Sequence, residues 1–308
     1  MQKELIAFIQ KFDSVVQPLT KASSLAYWNA SISGKEEDWK KSEELNIELT
    51  KVFSNKEDFA ILKRIKDSDT ITDELLKRQL DVMYDAYLGN QVDTGLLNRV
   101  ISMQTEIEQK YSNFRADVNG KKLSDNEVEE LLKTSTNSVE LKQAWEGHKA
   151  IGAVVALDIF SLVKKRNEIA VQLGFSNYHE MSLKLSEQDP EEISSLFDEL
   201  DNLTRDSFAG LKSEIDTYLS TRHNVNAENL MPWHYQNRFF QEPPAIYSID
   251  LDKYYQDRNI EALTTDYYLS LGLDIKDMLA LSDLYEKPGK NQHAYCIDID
   301  NQGDVRVL

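Results

Sequence analysis

The stretch SDNE, Ser124–Glu127, contains the clearest helix start in the chain. In such a capping box the serine hydroxyl accepts a hydrogen bond from the third amide of the helix, and the glutamate carboxylate returns to the capping amide. Asn137 and Glu140 repeat the pattern further along. A third start lies at Asp189, which is followed by a proline and two acids at the positive end of the helix dipole. These starts predict a chain built mainly from helices.

Outward from these starts, apolar residues recur at three- and four-residue steps through most of the chain. Such stripes occur in residues 2–31, where Pro18 is expected to kink the helix, and again in 75–87 and 97–114. One helix is expected to run from residue 138 to Gly174. The 308 residues include only 11 Gly and 6 Pro, which is few for a β protein. We therefore predict a mainly α, multi-helix fold.

The sequence changes in character after Pro243 and Pro244. Five tyrosines there are expected to be core aromatics on short helices, namely Tyr247, Tyr254, Tyr255, Tyr267 and Tyr268. Two alternating stretches, HAYCIDID (293–300) and VRVL (305–308), flank a turn and predict one short β-hairpin near the C-terminus. The pair Asn119-Gly120 is interpreted as the end of a helix.

The charge is strongly acidic, with 53 Asp and Glu against 35 Lys and Arg and a net charge of −18. Such a surface repels phosphate backbones and anionic lipid, so we predict no nucleic-acid partner and no membrane partner. The most apolar run, Ile151–Phe160, is too short to span a bilayer. Cys296 is the only cysteine, which excludes an intrachain disulfide and suits a reducing compartment. We predict a cytoplasmic protein; export with removal of a signal peptide is the alternative.

Motifs for catalysis are scarce. No glycine-rich nucleotide motif and no G-x-S-x-G elbow occurs. Zinc proteases place two histidines one helical turn apart with a glutamate between them. The nearest approach is His179-Glu180-Met181-Ser182-Leu183, in which Leu183 cannot bind a metal. We therefore predict that this chain binds no metal and that His179 lies in an ordinary helix start.

The segment LMPWHYQNRFFQEPP, Leu230–Pro244, interrupts the helical pattern with crowded aromatic side chains. It also contains Gln236, an amide in apolar surroundings. From the residues alone, the segment is interpreted as a packed crossover between helices in which Gln236 bonds the backbone.

Several stretches together resemble the angiotensin-converting-enzyme-like peptidyl-dipeptidase family of zinc metallopeptidases. They are Tyr27–Ser31 (YWNAS), Ala144–Lys149 (AWEGHK), Arg166–Ala170 (RNEIA), Gly174–Tyr178 (GFSNY), Leu230–Pro244, His293–Cys296 (HAYC) and Asn301–Val307 (NQGDVRV). Each is short, but their order and spacing span nearly the whole chain. The resemblance implies an all-helical, two-lobed fold with a deep central cleft, of which this chain forms one lobe and a cleft wall.

The resemblance also implies a domain organisation. In the family the H-E-x-x-H helix follows soon after the segment like GDVRVL, so truncation just before that helix is expected. Residues 1–308 would be the N-terminal part of one metallopeptidase catalytic domain, with lid-like helices in 1–120 and cleft-wall helices plus the hairpin in 121–308. Zinc is expected in the full-length enzyme and not in this chain. The expected partners are an oligopeptide substrate and the missing C-terminal half of the domain.

Four residues match substrate contacts of the family. Gln236 matches a glutamine that helps to bind the C-terminal carboxylate, although Trp233 lies three residues before it and the family tryptophan lies two before. His293 matches a histidine that bonds a substrate carbonyl on the oxyanion side and does not bind zinc. Ala294 and Cys296 belong to a strand whose main chain pairs with the substrate. Cys296 is expected to be a buried, inert thiol. No catalytic residue is assigned to this chain.

Lys149 matches the arginine through which some family members bind chloride, and His148 stands where they have a second tryptophan. Lysine is a point charge and lacks the planar fork of arginine, which weakens the case for chloride activation. Gln292 stands where vertebrate members begin a disulfide.

The activity that the resemblance implies is the removal of C-terminal dipeptides from oligopeptides by a zinc metallopeptidase. Residues 1–308 alone are expected to be inactive. One alternative is a thimet-type oligoendopeptidase, which cuts internal bonds. The other is a non-catalytic helical protein that binds peptides.

Overall fold

The structure, a computed structural model, describes residues 1–247 and 249–308. The helices are α1 Gln2–Ser33, α2 Glu36–Phe53, α3 Lys56–Asp67, α4 Glu74–Leu88, α5 Thr94–Asn113, α6 Asp125–Thr134, α7 Ser138–Lys149, α8 Ile151–Gln172, α9 Tyr178–Leu185, α10 Pro190–His223, α11 Ile260–Ser270 and α12 Lys276–Leu281. The strands are β1 Ala116–Val118, β2 Lys121–Leu123, β3 Cys296–Asp298 and β4 Val305–Val307. Single-turn 3-10 helices lie at Ala227–Asn229, Pro232–His234 and Asp252–Tyr254. The mainly α prediction is confirmed.

The predicted helix starts are present. The Ser124 hydroxyl accepts a hydrogen bond from the Glu127 amide, and the Glu127 carboxylate accepts one from the Ser124 amide at 2.8 Å. Asn137 caps α7, and Asp189 caps α10 through the amides of its first turn. Because each cap satisfies amides that have no partner inside the helix, these polar residues set where the helices begin.

Two helix predictions need correction or refinement. The helix after Asn137 ends at Lys149, and α8 begins only after Ala150. At this break the Ala153 amide donates to the Ala150 carbonyl three residues back, so the turn is tighter than in an α-helix. Pro18 lies inside α1, which continues to Ser33.

The chain divides into two compact units. The first unit comprises Met1–Asn113, Val155–Ile193 and Leu281–Leu308, and the second comprises Phe114–Val154 and Ser194–Ala280. The division into lid-like residues 1–120 and cleft-wall residues 121–308 concerns roles in a larger domain, so it stays a prediction. Among the described residues, no helix combines the length and the apolar character needed to cross a membrane.

The first unit has several apolar cores. Side chains of α1, α3, α4 and the loop between α3 and α4 form one of them, which consists of Leu5, Phe8, Leu62, Ile65, Ile71, Leu80, Met83 and Tyr87. A second joins α5, α8 and α9 around Val100, Ile169 and Met181. A third brings Trp28 against Ile299 and Leu308. The unit is therefore completed by residues far apart in the chain.

The end of α1 is fastened to the C-terminal segment of the first unit. Gly34 follows α1 with a φ of 65°, and a Cβ there would collide with the Gly289 carbonyl. A Cβ on Gly289 would lie 2.5 Å from the Ser33 carbonyl oxygen. The Asn291 amide donates to the Ser31 carbonyl at 2.7 Å. Only glycine fits this backbone-to-backbone approach.

The second unit contains a hairpin that the sequence interpretation missed. Strands β1 and β2 are antiparallel and are joined by Asn119 and Gly120, whose φ angles are 55° and 81°. These left-handed angles are typical of the two-residue turn that Asn-Gly favours, so the pair ends a strand and not a helix. The hairpin packs on α7, where a Cβ on Gly147 would lie 2.6 Å from the Asp117 carbonyl oxygen.

The tyrosine prediction was wrong. Tyr247, Tyr254, Tyr255, Tyr267 and Tyr268 are all exposed, by 38–63%. Helix α11 buries none of its side chains within the described residues. The aromatic pattern indicated the short helices but not their burial, because no other described element of the second unit covers them. The hairpin predicted near the C-terminus is confirmed, with β3 and β4 antiparallel.

Candidate functional site

The segment Leu230–Pro244 forms a series of tight turns in the second unit. Its 3-10 helix at Pro232–His234 is followed by Asn237 and Phe240, whose φ angles are 75° and 58°. The Asn237 side-chain oxygen accepts hydrogen bonds from the amides of Phe239 and Gln241, at 2.9 and 3.1 Å. Left-handed backbone at non-glycine residues costs free energy, so the surroundings must hold this conformation.

A mostly buried ion cluster holds the segment at Arg238. Arg238 Nε donates to Glu129 Oε1 at 2.6 Å, and the guanidinium also pairs with Asp125. Arg238 Nη1 lies 3.0 Å from His148 Nε2, and burial together with the Arg238 charge lowers the pKa of His148. His148 Nε2 therefore accepts the hydrogen bond as part of a neutral ring.

Lys149 belongs to the same neighbourhood. Its ammonium donates to the Arg238 carbonyl at 2.9 Å and lies 4.5 and 4.8 Å from the ring centres of Trp145 and Phe239. Burial and the nearby Arg238 charge lower the pKa of Lys149. A chloride role for Lys149 stays a prediction.

His234 holds the segment at its other side. The Met231 amide donates to His234 Nδ1 at 2.9 Å, and His234 Nε2 lies 2.8 Å from the Ser138 hydroxyl. An amide can only donate, so Nδ1 carries no proton, and the Nε2 proton points to Ser138. In this tautomer the ring cannot take a proton from Ser138. The pair is therefore not arranged as a nucleophile and its base.

Gln236 lies between these two anchors, on the wall of a groove of about 540 Å³, here called the Gln236 groove. Its lining is mostly apolar and includes Phe208, Leu211, Ile215, Leu230, Phe240 and Pro243. No described residue forms a hydrogen bond with the side-chain amide of Gln236. An amide in such a place keeps its donors available for a ligand.

The neighbouring wall residue, Tyr235, is firmly held. Lys212 Nζ donates to Asp216 at 2.6 Å and to the Tyr235 hydroxyl at 2.8 Å. The Tyr235 hydroxyl in turn donates to Asp216 at 2.7 Å. This closed set of bonds fixes one side of the Gln236 groove on α10.

A second cavity, here called the His293 pocket, lies in the first unit and has a volume of about 520 Å³. His293 and Cys296 line it with Tyr27, Glu108 and Tyr295. Gln236 and His293 thus lie in different units. Of the four predicted substrate contacts, His293 and Cys296 line the same pocket. Ala294 is exposed beside them in the chain.

Two expectations about this pocket are corrected. His293 and Ala294 lie in the loop before β3, which begins only at Cys296. The Cys296 thiol is exposed and not buried, because its strand is the edge of a two-stranded sheet and faces the cavity. The assigned contacts of His293, Ala294, Cys296 and Gln236 with substrate stay predictions.

The His293 pocket contains a hydrogen bond that the sequence interpretation missed. The Tyr27 hydroxyl donates to the Glu108 carboxylate. Burial raises the pKa of Glu108, and burial together with Glu108 raises that of Tyr27. Burial also raises the pKa of Tyr295 to about 12. A signal existed: Glu108 lies three helical turns after Leu97 and one turn before Tyr111, on the apolar stripe of α5.

Within residues 1–247 and 249–308, no three His, Cys, Asp or Glu side chains lie together in a way that could hold a metal ion. His179 is exposed in the first turn of α9, which Asn177 caps. The donor set of a zinc site is therefore not found in the described residues.

Comparison with known proteins agrees with the resemblance. A family model described as angiotensin-converting enzyme, peptidase family M2, matches residues 1–239. The matched range includes Lys149 and Gln236 and ends before His293. A search of curated proteins finds no match. Since the model covers well over half of the 308 residues, the chain belongs to the angiotensin-converting enzyme family of peptidases.

Proposed function

We propose that these residues are the N-terminal portion of a zinc-dependent peptidyl-dipeptidase that removes C-terminal dipeptides from oligopeptides. Family membership over residues 1–239 supports a peptidase. The observation that carries the finer proposal is Gln236, whose amide has no hydrogen-bonding partner among the described residues and faces an apolar groove. A peptide ending in a free carboxylate matches both features.

The physical basis is the difference between an amide and a charged partner. The Gln236 N–H groups can donate to a carboxylate, and a hydrogen bond to a charged group contributes about 1.5–3 kcal/mol. No second charge has to be removed from water. The apolar groove then offers a place for the side chain beside that terminus.

Residues of the His293 pocket support main-chain recognition. Strand β3 pairs with β4 in a two-stranded sheet, so within the described residues its other edge is open to an added strand. The His293 imidazole lines the same cavity and can donate to a carbonyl. We assign to this chain the substrate contacts, and we place the zinc ligands and the catalytic base outside these 308 residues. Residues 1–308 alone should then hydrolyse no peptide, with or without zinc.

The test compares one peptide with a free C-terminus and the same peptide with a C-terminal amide. It uses the zinc-loaded protein expressed from a gene fragment extended beyond residue 308, with residues 1–308 as a separate sample. Gln236→Ala should raise KM for the free peptide about 10- to 100-fold, which corresponds to the loss of one charge-assisted hydrogen bond. Gln241→Ala is the matched control, because Gln241 is an exposed amide in the same segment.

Three results would contradict the proposal. Equal cleavage of the free and amidated peptides would favour a thimet-type oligoendopeptidase. Metal-independent peptide binding without hydrolysis by the extended protein would favour a binding protein. Hydrolysis by residues 1–308 alone would overturn the assignment of the catalytic groups to other residues.

A further inference from the structure

Gln236 is positioned by its neighbours in the chain and not by bonds of its own. His234 and Arg238, two residues before and two after it, are both tied to helices. Between and beyond them, Asn237 and Phe240 have left-handed backbone. A strained segment of this kind keeps its shape only while its anchors hold.

The two anchors differ in chemistry. Arg238 is held by the charges of Asp125 and Glu129 on α6. His234 is held by two hydrogen bonds that need a neutral ring, one accepted by Nδ1 from the Met231 amide and one donated by Nε2 to Ser138. Protonation of Nδ1 would place two N–H groups face to face and break the first bond.

The surroundings of His234 oppose a positive charge. The ring is 4% exposed, and its centre lies 5.0 Å from that of His223 on α10. Arg222 adds a positive charge beside His223, and Lys142 on α7 lies over the neighbouring Trp233 ring. None of these groups supplies a negative charge. Burial and His223 lower the pKa of His234, which agrees with the geometry.

We propose that His234 is a positioning residue for Gln236: its neutral imidazole locks the turn Met231–His234, and protonation releases the turn and moves the Gln236 amide away from the groove. The consequence for peptide binding rests on the proposed function. The structural coupling of His234 to Gln236 does not, because it concerns only contacts within this chain.

The experiment is an NMR titration of isotopically labelled residues 1–308 from about pH 7.5 to about pH 4.5, a range that spans histidine ionisation. The Met231 nitrogen and His234 Nδ1 should show a coupling through their hydrogen bond at the upper pH. On acidification this coupling should vanish, and the Gln236 side-chain amide signals should shift with the same midpoint as the His234 ring. The wild-type titration alone therefore tests the proposal.

Variants identify the sensor. In His234→Asn the side-chain oxygen can replace Nδ1 as acceptor but cannot be protonated, so the Gln236 signals should become insensitive to pH. His179→Asn, in the first unit, should leave the wild-type response unchanged. Gln236 signals that stay still while His234 titrates would overturn the proposal. So would a response that survives in His234→Asn and disappears in His148→Asn, since that would assign the sensor to the Arg238 cluster.

Peptide affinity separates this inference from the proposed function. If both hold, binding of a free-carboxylate peptide should weaken about tenfold when His234 is protonated and not in His234→Asn. A coupled shift of Gln236 without any effect of Gln236→Ala on peptide recognition would keep the inference and reject the proposed function. An effect of Gln236→Ala without the coupled shift would do the reverse.

Discussion

The Gln236 groove and the His293 pocket have nearly the same volume, about 540 and about 520 Å³, but they are built from different chemistry. The groove has mostly apolar walls that contain the neutral amide of Gln236 and the charged side chains of Lys212 and Glu242. The mostly buried ion cluster around Arg238 holds its backbone in shape. The pocket has a half-buried carboxylate, Glu108, that lines the cavity and accepts a hydrogen bond from Tyr27. Size alone therefore says little about what a cavity recognises; the placement of the charge decides it.

The same difference gives the two regions opposite responses to pH. In the second unit, burial lowers the pKa of His148, His223 and His234. The unfolded chain then binds protons at these histidines more readily than the folded chain does. Their contribution to the free energy of unfolding is therefore fully present above about pH 6.5 and is lost as the pH falls below that value. In the first unit, burial raises the pKa of Glu108. The folded chain then binds the proton more readily, so this group adds stability as the pH falls toward about 4.5.

The largest effect is expected from Arg238→Met, which leaves Asp125 and Glu129 partly buried without their cation. Loss of one partner from a buried ion pair costs about 3–5 kcal/mol, and partial exposure places the expected value at the lower end. Arg205→Met is the matched control, because Arg205 pairs with Asp201 on the exposed face of α10 and its loss should cost at most about 1 kcal/mol. Urea unfolding measures both. Similar values would show that the charges do not hold the groove.

A smaller loss is expected from Tyr27→Phe. The variant leaves the half-buried Glu108 carboxylate without its donor, which costs about 1–3 kcal/mol for a buried group, and partial exposure places the expected value at the lower end. Tyr111→Phe changes an exposed ring of the same pocket and should stay within about 0.5 kcal/mol. The Tyr27→Phe variant should also shift the Glu108 titration to higher pH. If Tyr27→Phe changed neither the free energy of unfolding nor the Glu108 titration, the contrast between the two cavities would not hold.

Acidification should lower the local stability of the second unit but not that of the first. As the pH falls below about 6.5, the protection factors of amides in α6 and α7 should decrease, because neutral histidines stabilise that unit. Amides of α1 and α5 beside Glu108 should keep or gain protection. Hydrogen exchange followed by mass spectrometry, with correction for intrinsic rates, measures both units in one sample. Uniform loss of protection would break the comparison.

The smallest effect on stability is expected from Cys296→Ser. The thiol is exposed, so the change should stay within about 0.5 kcal/mol. Because its thiol is exposed, Cys296 should react fully with a thiol reagent in the folded chain. The labelling reports on this residue alone, since the chain has one cysteine. Slow labelling that requires denaturant would restore the original expectation of a buried thiol.

Local signals allowed much of the fold to be predicted. Ser124, Asn137 and Asp189 form caps with residues at most three positions away, so their chemistry is readable from the sequence. Asn119-Gly120 carried an equally local signal, but three-residue strands provide too short an alternation to distinguish a hairpin from a helix end. Nothing at Ala150 marks a helix break, since alanine is the best helix former.

The candidate site was less readable because its bonds join distant residues. Arg238 was visible within its aromatic segment, but its partner Glu129 lies 109 positions earlier and has no local mark. Tyr27 and Glu108 are 81 positions apart. Gln236 was assigned as a substrate contact because of the family resemblance, and no physical signal in the sequence singled it out. Its lack of a hydrogen-bonding partner among the described residues emerged only from the three-dimensional structure.

The glycine contact between Gly34 and Gly289 has a consequence for biosynthesis. The first unit contains the first 113 residues, but it is closed only when residues 281–308 reach the end of α1. A ribosome that adds about 5–20 residues per second needs about 10 to 40 s to make residues 114–308. During that interval Trp28 lacks Ile299 and Leu308, its partners in the core. The first unit thus begins to form before the second but gains these contacts only after residues 114–280 have been made. Its apolar surface is exposed in the meantime and can bind ribosome-associated chaperones.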